Sequence, residues 1–139
     1  MIIAQGPNFT ITLIAGAAVY VVLPRPDLSR EETAQIVSAS SAHIQTLCDR
    51  EDVRGLILDQ RKVEGTPGPK TSQVISASLA TFERKPKPVA LLIHERPVLR
   101  MLMTRLASES APTQARVVTS ISNAHLWLSG IDPSPKVID

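Results

Sequence analysis

An α/β domain is what this sequence predicts: an N-terminal β-hairpin, then helices alternating with parallel strands, in the order β-β-α-β-α-β-α-β-α, giving one sheet with helices packed on it. Three observations predict it. Residues 9 to 23 hold two β-branched apolar runs separated by a lone glycine. Three shorter apolar runs follow, at residues 53 to 58, 89 to 93 and 115 to 119, each bounded by turn or charged residues. Between and after them lie segments whose apolar residues recur at spacings of three and four, the period of an amphipathic helix. A length of 139 residues suits a single hydrophobic core rather than two. Residues 1 to 130 are therefore expected to form one domain, with 131 to 139 as a mobile C-terminal tail.

The first strand is expected over Phe9 to Ala15 (FTITLIA), where apolar and polar residues alternate; Gly16 punctuates, and Ala17 to Leu23 (AAVYVVL) forms the second. Pro24 and Pro26 stop that strand. Asp27 or Ser29 can then cap a helix whose Glu31 and Glu32 lie in its first turn, where the helix dipole favours acids. It runs to about Asp49, with Ile36, Val37, Ile44, Leu47 and Cys48 as its buried stripe and His43 at the stripe's edge.

Val53 to Leu58 (VRGLIL) reads as a strand buried on both faces and ending at Asp59. Residues 60 to 70 (QRKVEGTPGPK) concentrate glycine and proline and must be a loop. Thr71 or Ser72 is the expected cap of the next helix, which turns Val74, Ile75, Ser78, Leu79 and Phe82 inward and ends at the Lys85 to Pro88 segment (KPKP). Val89 to Ile93 is a further buried strand. After Pro97 a helix carries Val98, Leu99, Leu102, Met103 and Leu106, with its methionines as core filler. Ala115 to Thr119 is the last strand. Thr119 or Ser120 caps a short helix with Ala124, Trp127 and Leu128 inward, and Gly130 stands where a helix C-terminus favours glycine.

Charge and composition narrow the function classes. The formal net charge of +2 divides into −3 over residues 1 to 60 and +5 over 61 to 139, with no Lys/Arg block. The basic half reads as a solvated surface, or as a shallow patch between Arg61 and Arg100 that steers an acidic partner. So small a charge, with aromatics at 3% and no helix-turn-helix pattern, argues against nucleic acid as a partner. Cys48 is the single cysteine, which excludes an internal disulfide and fits a reducing cytoplasm. The apolar run from Ile11 to Leu23 is too short and too interrupted to span a bilayer, so no membrane insertion is expected.

The material for chemistry is sparse. His43, His94, His125, Cys48, Asp59 and Glu95 match no common metal or nucleophile spacing. The segment from Gly65 to Lys70 lacks the Gly-Lys-Ser/Thr ending of a phosphate loop, and Pro67 and Pro69 remove amides such a loop would use. No cofactor, metal or catalytic residue is expected. One alternative stands apart: Asp59 and His94 fall at the C-terminal ends of predicted parallel strands, the edge where open α/β sheets place ligands. That pair could line a small-ligand or weakly catalytic pocket. The hairpin edge also invites a homodimer.

Several segments together resemble the STAS domain, in its SpoIIAA-like branch, the fold of anti-sigma factor antagonists. They are Gly55 to Val63 (GLILDQRKV), Pro88 to His94 (PVALLIH), the helix with Arg100 and Arg105, and Arg116 to Leu128 (RVVTSISNAHLWL). The resemblance spans roughly residues 9 to 129. It implies a non-enzymatic regulatory adaptor of bacterial signalling, which meets a partner protein through the loop and helix after the Asp59 strand. Carried onto this chain, that face comprises Arg61, Lys62, Thr66, Lys70, Thr71 and Ser72. The family's phosphorylatable serine at the helix start corresponds here to the stretch GTPGPKTS, with Thr66, Thr71 and Ser72 as candidate hydroxyls. The stretch is longer and richer in proline than the family's Asp-Ser-Ser-Gly-like pattern.

Overall fold

The computed structural model describes residues 1–23, 25 and 27–132. The expected strand stop at Pro24 and Pro26, and most of the expected tail, lie outside the described residues. Six strands, β1 (Ile2–Gly6), β2 (Phe9–Ile14), β3 (Ala17–Val22), β4 (Gly55–Asp59), β5 (Val89–Leu92) and β6 (Ala115–Val118), form one mixed sheet in sequential order. The first three are antiparallel neighbours, and β3 to β6 run parallel. Four helices complete the fold: α1 (Arg30–Asp49), α2 (Pro69–Arg84), α3 (Pro97–Ser110) and α4 (Ile121–Leu128).

The expected α/β architecture is thus present, with one strand more than the sequence predicts. Residues 2 to 6 (IIAQG) show no clean alternation, yet they pair along β2, so β1 and not the first hairpin strand is the sheet's edge. The β2–β3 turn is Ala15-Gly16, with φ of 51° and 83°, both positive as a tight hairpin turn between right-twisted strands requires.

Strand alternation divides the core in two. Tyr20, Leu58 and Leu91 face Leu47 of α1, Leu79 and Phe82 of α2, and Leu99 and Met103 of α3. Val19, Ile57, Ala90 and Leu92 face the other way, onto Ala124 and Leu128 of α4. Gly55 lets α4 approach: a Cβ there would come within 2.7 Å of both Leu128 Cγ and the Pro88 carbonyl oxygen.

Local signals explain most helix ends. Ser29 caps α1 in a full capping box, its hydroxyl accepting from Glu32 N–H while the Glu32 carboxylate accepts from Ser29 N–H. Ser29→Ala should therefore cost about 1 kcal/mol, read as a lower urea midpoint. Ser120 caps α4 through Asn123 N–H. The α2 cap departs from expectation. Gly68, not Thr71 or Ser72, occupies it, because Pro69 has its φ preset for the first helical position and no N–H to satisfy. Val98 and Met101 of α3 are also not core; they are 68% and 74% exposed, while Met103 is buried. Three helices already fill that side of the sheet, and α3 needs only Leu99, Met103, Leu106 and Ala107 to seal it. His43 is exposed, next in the chain to buried Ile44 of α1.

Candidate functional site

A large opening lies at the C-terminal ends of β3 and β4, on the face covered by α1, α2 and α3. It is a cavity of about 860 Å³ between the starts of α1 and α2 and the 60–68 loop. Its floor is Tyr20 and Val22 of β3 with Leu58 of β4. Its walls are mainly apolar, among them Leu28, Ala34, Val37, Val63 and Ile75. Volume and lining both fit a small-molecule site, which is typically concave, apolar and set with few polar groups.

Those polar groups are specific. The Tyr20 hydroxyl shares a 2.9 Å hydrogen bond with Ser40 Oγ of α1, and burial pushes its pKa upward. Asn8, from the β1–β2 turn, is 3% exposed and contributes to the cavity lining, and its buried Oδ1 has no hydrogen-bond partner among the described residues. At the rim, Arg25 is engaged by Asp27 at 2.7 Å, and Lys70 lies 3.9 Å from Glu31.

The loop that forms one wall is held in place. Gln60 is buried at its base, donating its side-chain amide to Met103 Sδ and its N–H to the Leu92 carbonyl. The Arg96 guanidinium donates to the carbonyls of Val63 at 2.8 Å and Gly65 at 3.1 Å. The glycines and prolines that mark the loop in the sequence therefore build a fixed wall.

The residues expected from sequence fall into three groups. Thr66, Lys70 and Thr71 line the cavity, and Thr71 is the third residue of α2. Ser72 is half-buried one position on, its N–H donating to the Gly68 carbonyl. Arg61 and Lys62 stand outside the lining, Lys62 exposed and Arg61 folded back on Asp59. Asp59 and His94 do not line the cavity either.

Asp59 is 6% exposed and accepts from the Arg61 backbone and guanidinium, with an ion-pair distance of 2.9 Å. Burial works to raise its pKa, but the hydrogen bonds from Arg61 outweigh burial and hold the carboxyl below its ordinary value. His94 is exposed just beyond β5. Much of the basic surface between Arg61 and Arg100 is likewise paired, with Lys85 on Asp49 and Arg100 on Glu95, both at 3.0 Å. Among the described residues, no group of three or more His, Cys, Asp or Glu is placed to hold a metal ion. No described helix is long and apolar enough to cross a membrane.

Sequence reasoning missed Asn8, Tyr20 and Arg30 as cavity residues. The signals available were weak: a polar turn residue, one hydroxyl in an apolar strand, and a cation opening a helix. Comparison with protein-family models, with curated proteins and with solved structures finds no match for this chain.

Proposed function

We propose that this domain is a non-enzymatic binding module whose ligand is a small, largely apolar molecule held at the ends of β3 and β4. The observation that carries this reading is the cavity of about 860 Å³, walled by the pinned 60–68 loop and the starts of α1 and α2. A wall already ordered need not be ordered on binding, which lowers the entropic cost of association. Binding without turnover is supported by the state of Asp59, the acid of the expected strand-end site. Asp59 is committed to Arg61, so its carboxylate is a poor proton acceptor.

A thermal-shift screen of amphipathic and apolar metabolites tests this directly. A ligand present at about a hundred times its Kd stabilises the fold by ~2.7 kcal/mol, a rise of roughly 10 °C in Tm for a domain of this size. Val37→Trp, which puts an indole into the cavity from α1, should abolish that rise while preserving the circular dichroism spectrum. A screen in which no compound moves the Tm would refute the reading.

A second reading, the STAS-like adaptor that captures a partner protein, draws on the same pinned loop. The Arg96 clamp presents exposed Lys62, Glu64 and Gly65 in one fixed shape. On that reading Lys62→Glu weakens a purified complex with its partner and Val37→Trp does not. Lys62→Glu is a cleaner probe than any change at Arg61, whose side chain Asp59 needs.

A further inference from the structure

The two sides of the sheet are covered unequally. Helices α1, α2 and α3 pack on one side, while α4 lies on the other over β4, β5 and β6. The strand register places Ile2, Gln5, Thr10, Thr12, Ile14 and Val21 on the α4 side of β1, β2 and β3, beyond the strands that α4 covers. Ile2 and Ile14 are at least half exposed there. That side of the molecule is therefore a step, a shelf of three strands beside a ridge one helix high.

The step is nearly free of charge. Residues 1 to 24 and 117 to 131, which supply β1, β2, β3 and α4, contain no Asp, Glu, Lys or Arg. The charged strand residues on this side are Asp59 and Arg116, each tied into an ion pair, with Arg61 and Asp132 respectively. Exposed Leu126 and Ile131 add apolar surface to the ridge. Charge is depleted from the centres of protein interfaces, and such a face gives a charged partner nothing to pair with. It matches a surface equally free of charge, and the chain itself has one. Edge-to-edge pairing is less suited to self-association. A bulge between Ile2 and Ala4 blunts β1, and β6 is four residues long and carries Arg116.

We propose that a second copy of this chain covers the face, with α4 of each copy seated on the β1–β3 shelf of the other. A two-fold axis running along the strands achieves this, because it exchanges ridge and shelf while keeping their heights, as a self-complementary contact requires. The heights agree. Ile14 pairs with Ala17, Ala17 pairs with Gly55, and a Cβ on Gly55 would lie 2.7 Å from Leu128 Cγ. The apolar end of α4 is thus level with the Ile2 and Ile14 end of the shelf. Six strands about 4.8 Å apart and about 15 Å long give roughly 400 Å² in plan per copy. With the relief of ridge and shelf, two copies bury about 1,000 Å², the low end for a specific interface, so the dimer should dissociate on dilution. The cavity between α1 and α2 lies on the opposite side of the sheet and stays open in the dimer.

Sedimentation equilibrium of the full chain, from micromolar to millimolar concentration, tests this. The mass should rise towards twice the 15.0 kDa of one chain. Ile14→Lys and Leu126→Glu, both at exposed positions, should each weaken self-association about tenfold or more, because an unpaired charge is then buried in the interface. Their circular dichroism spectra should match the parent's, and Thr12→Lys repeats the shelf test if Ile14→Lys does not fold. Mixed in equal amounts, the Ile14→Lys and Leu126→Glu chains should form a heterodimer, since the ridge of one meets the shelf of the other. Met101→Lys, on α3 across the sheet, should leave the dimer intact. A chain that stays monomeric throughout overturns the proposal, as does a dimer indifferent to the shelf and ridge variants or one lost with Met101→Lys. Variants that each disrupt the dimer but fail to associate when mixed overturn the seating of ridge on shelf.

Discussion

Phe82→Ala should lower the unfolding free energy by about 3–5 kcal/mol, the largest loss expected from any single truncation in this chain. Phe82 is 0% exposed and belongs to the cluster that joins α1, α2 and α3 to the sheet. That cluster also includes Cys48 and Ala107, short side chains with little reach to refill a void. The strands beneath cannot close in without breaking their ladders, so most of the void should persist. Urea denaturation measures the loss as a shifted midpoint at unchanged slope. A loss under about 2 kcal/mol would mean that the helices collapse onto the gap. The same variant separates stability from binding. Phe82 lies thirteen residues along α2 from Pro69, roughly 20 Å at 1.5 Å per residue. Where the variant remains folded, occupancy of the cavity at the opposite end of α2 should be unaltered.

The elements easiest to read from the sequence are those whose signals are local. Gly16 ends β2, Ser29 with Glu32 opens α1, and the apolar runs of β4 and β5 are buried on both faces as expected. What escaped depends on residues far away in the chain. The β1 strand exists because β2 offers it a partner, and five residues ending in Gln-Gly carry no pattern of their own. Likewise, apolar spacing shows which face of α4 is buried, but not that α4 lies on the opposite side of the sheet from α1, α2 and α3. The exposure of Val98 has the same origin. Spacing identifies apolar positions, while packing decides how many of them the core can accept.

The site divides along the same line. Glycine and proline made the 60–70 loop visible, and Thr66, Lys70 and Thr71 do border the cavity. The cavity itself was illegible because its distinctive groups come from three separated segments: Asn8 from a hairpin turn, Tyr20 from a strand, Arg30 from a helix start. Asp59 illustrates the converse. Its place at a strand end is local and readable, yet its chemistry is set by which way Arg61 turns, two residues on, and that rotamer is a property of the folded surface.

Arg61→Met should therefore destabilise the fold in a pH-dependent way. In the parent chain, the folded Asp59 carboxyl titrates below its ordinary value. Its ionised form thus contributes stability above pH about 3.9, which is lost as pH falls through the folded pKa. Methionine keeps most of the aliphatic stem but removes the guanidinium, leaving Asp59 8% exposed in its side chain with only the backbone N–H as donor. Loss of the guanidinium removes the largest of the effects that offset burial, so the folded pKa rises. Removing one partner of a fully buried pair costs 3–5 kcal/mol, but the Arg61 side chain is 37% exposed and partly screened, so about 2 kcal/mol is expected near neutral pH. The deficit should shrink as pH falls through the raised pKa towards about 4, because the variant can protonate Asp59 and shed the unpaired charge. Urea denaturation of both proteins at a series of pH values measures the difference. If the deficit instead stays constant from neutral to acid pH, the Arg61 side chain acts by packing rather than by charge, and Asp59 is free to serve as the strand-end carboxylate that its position suggests.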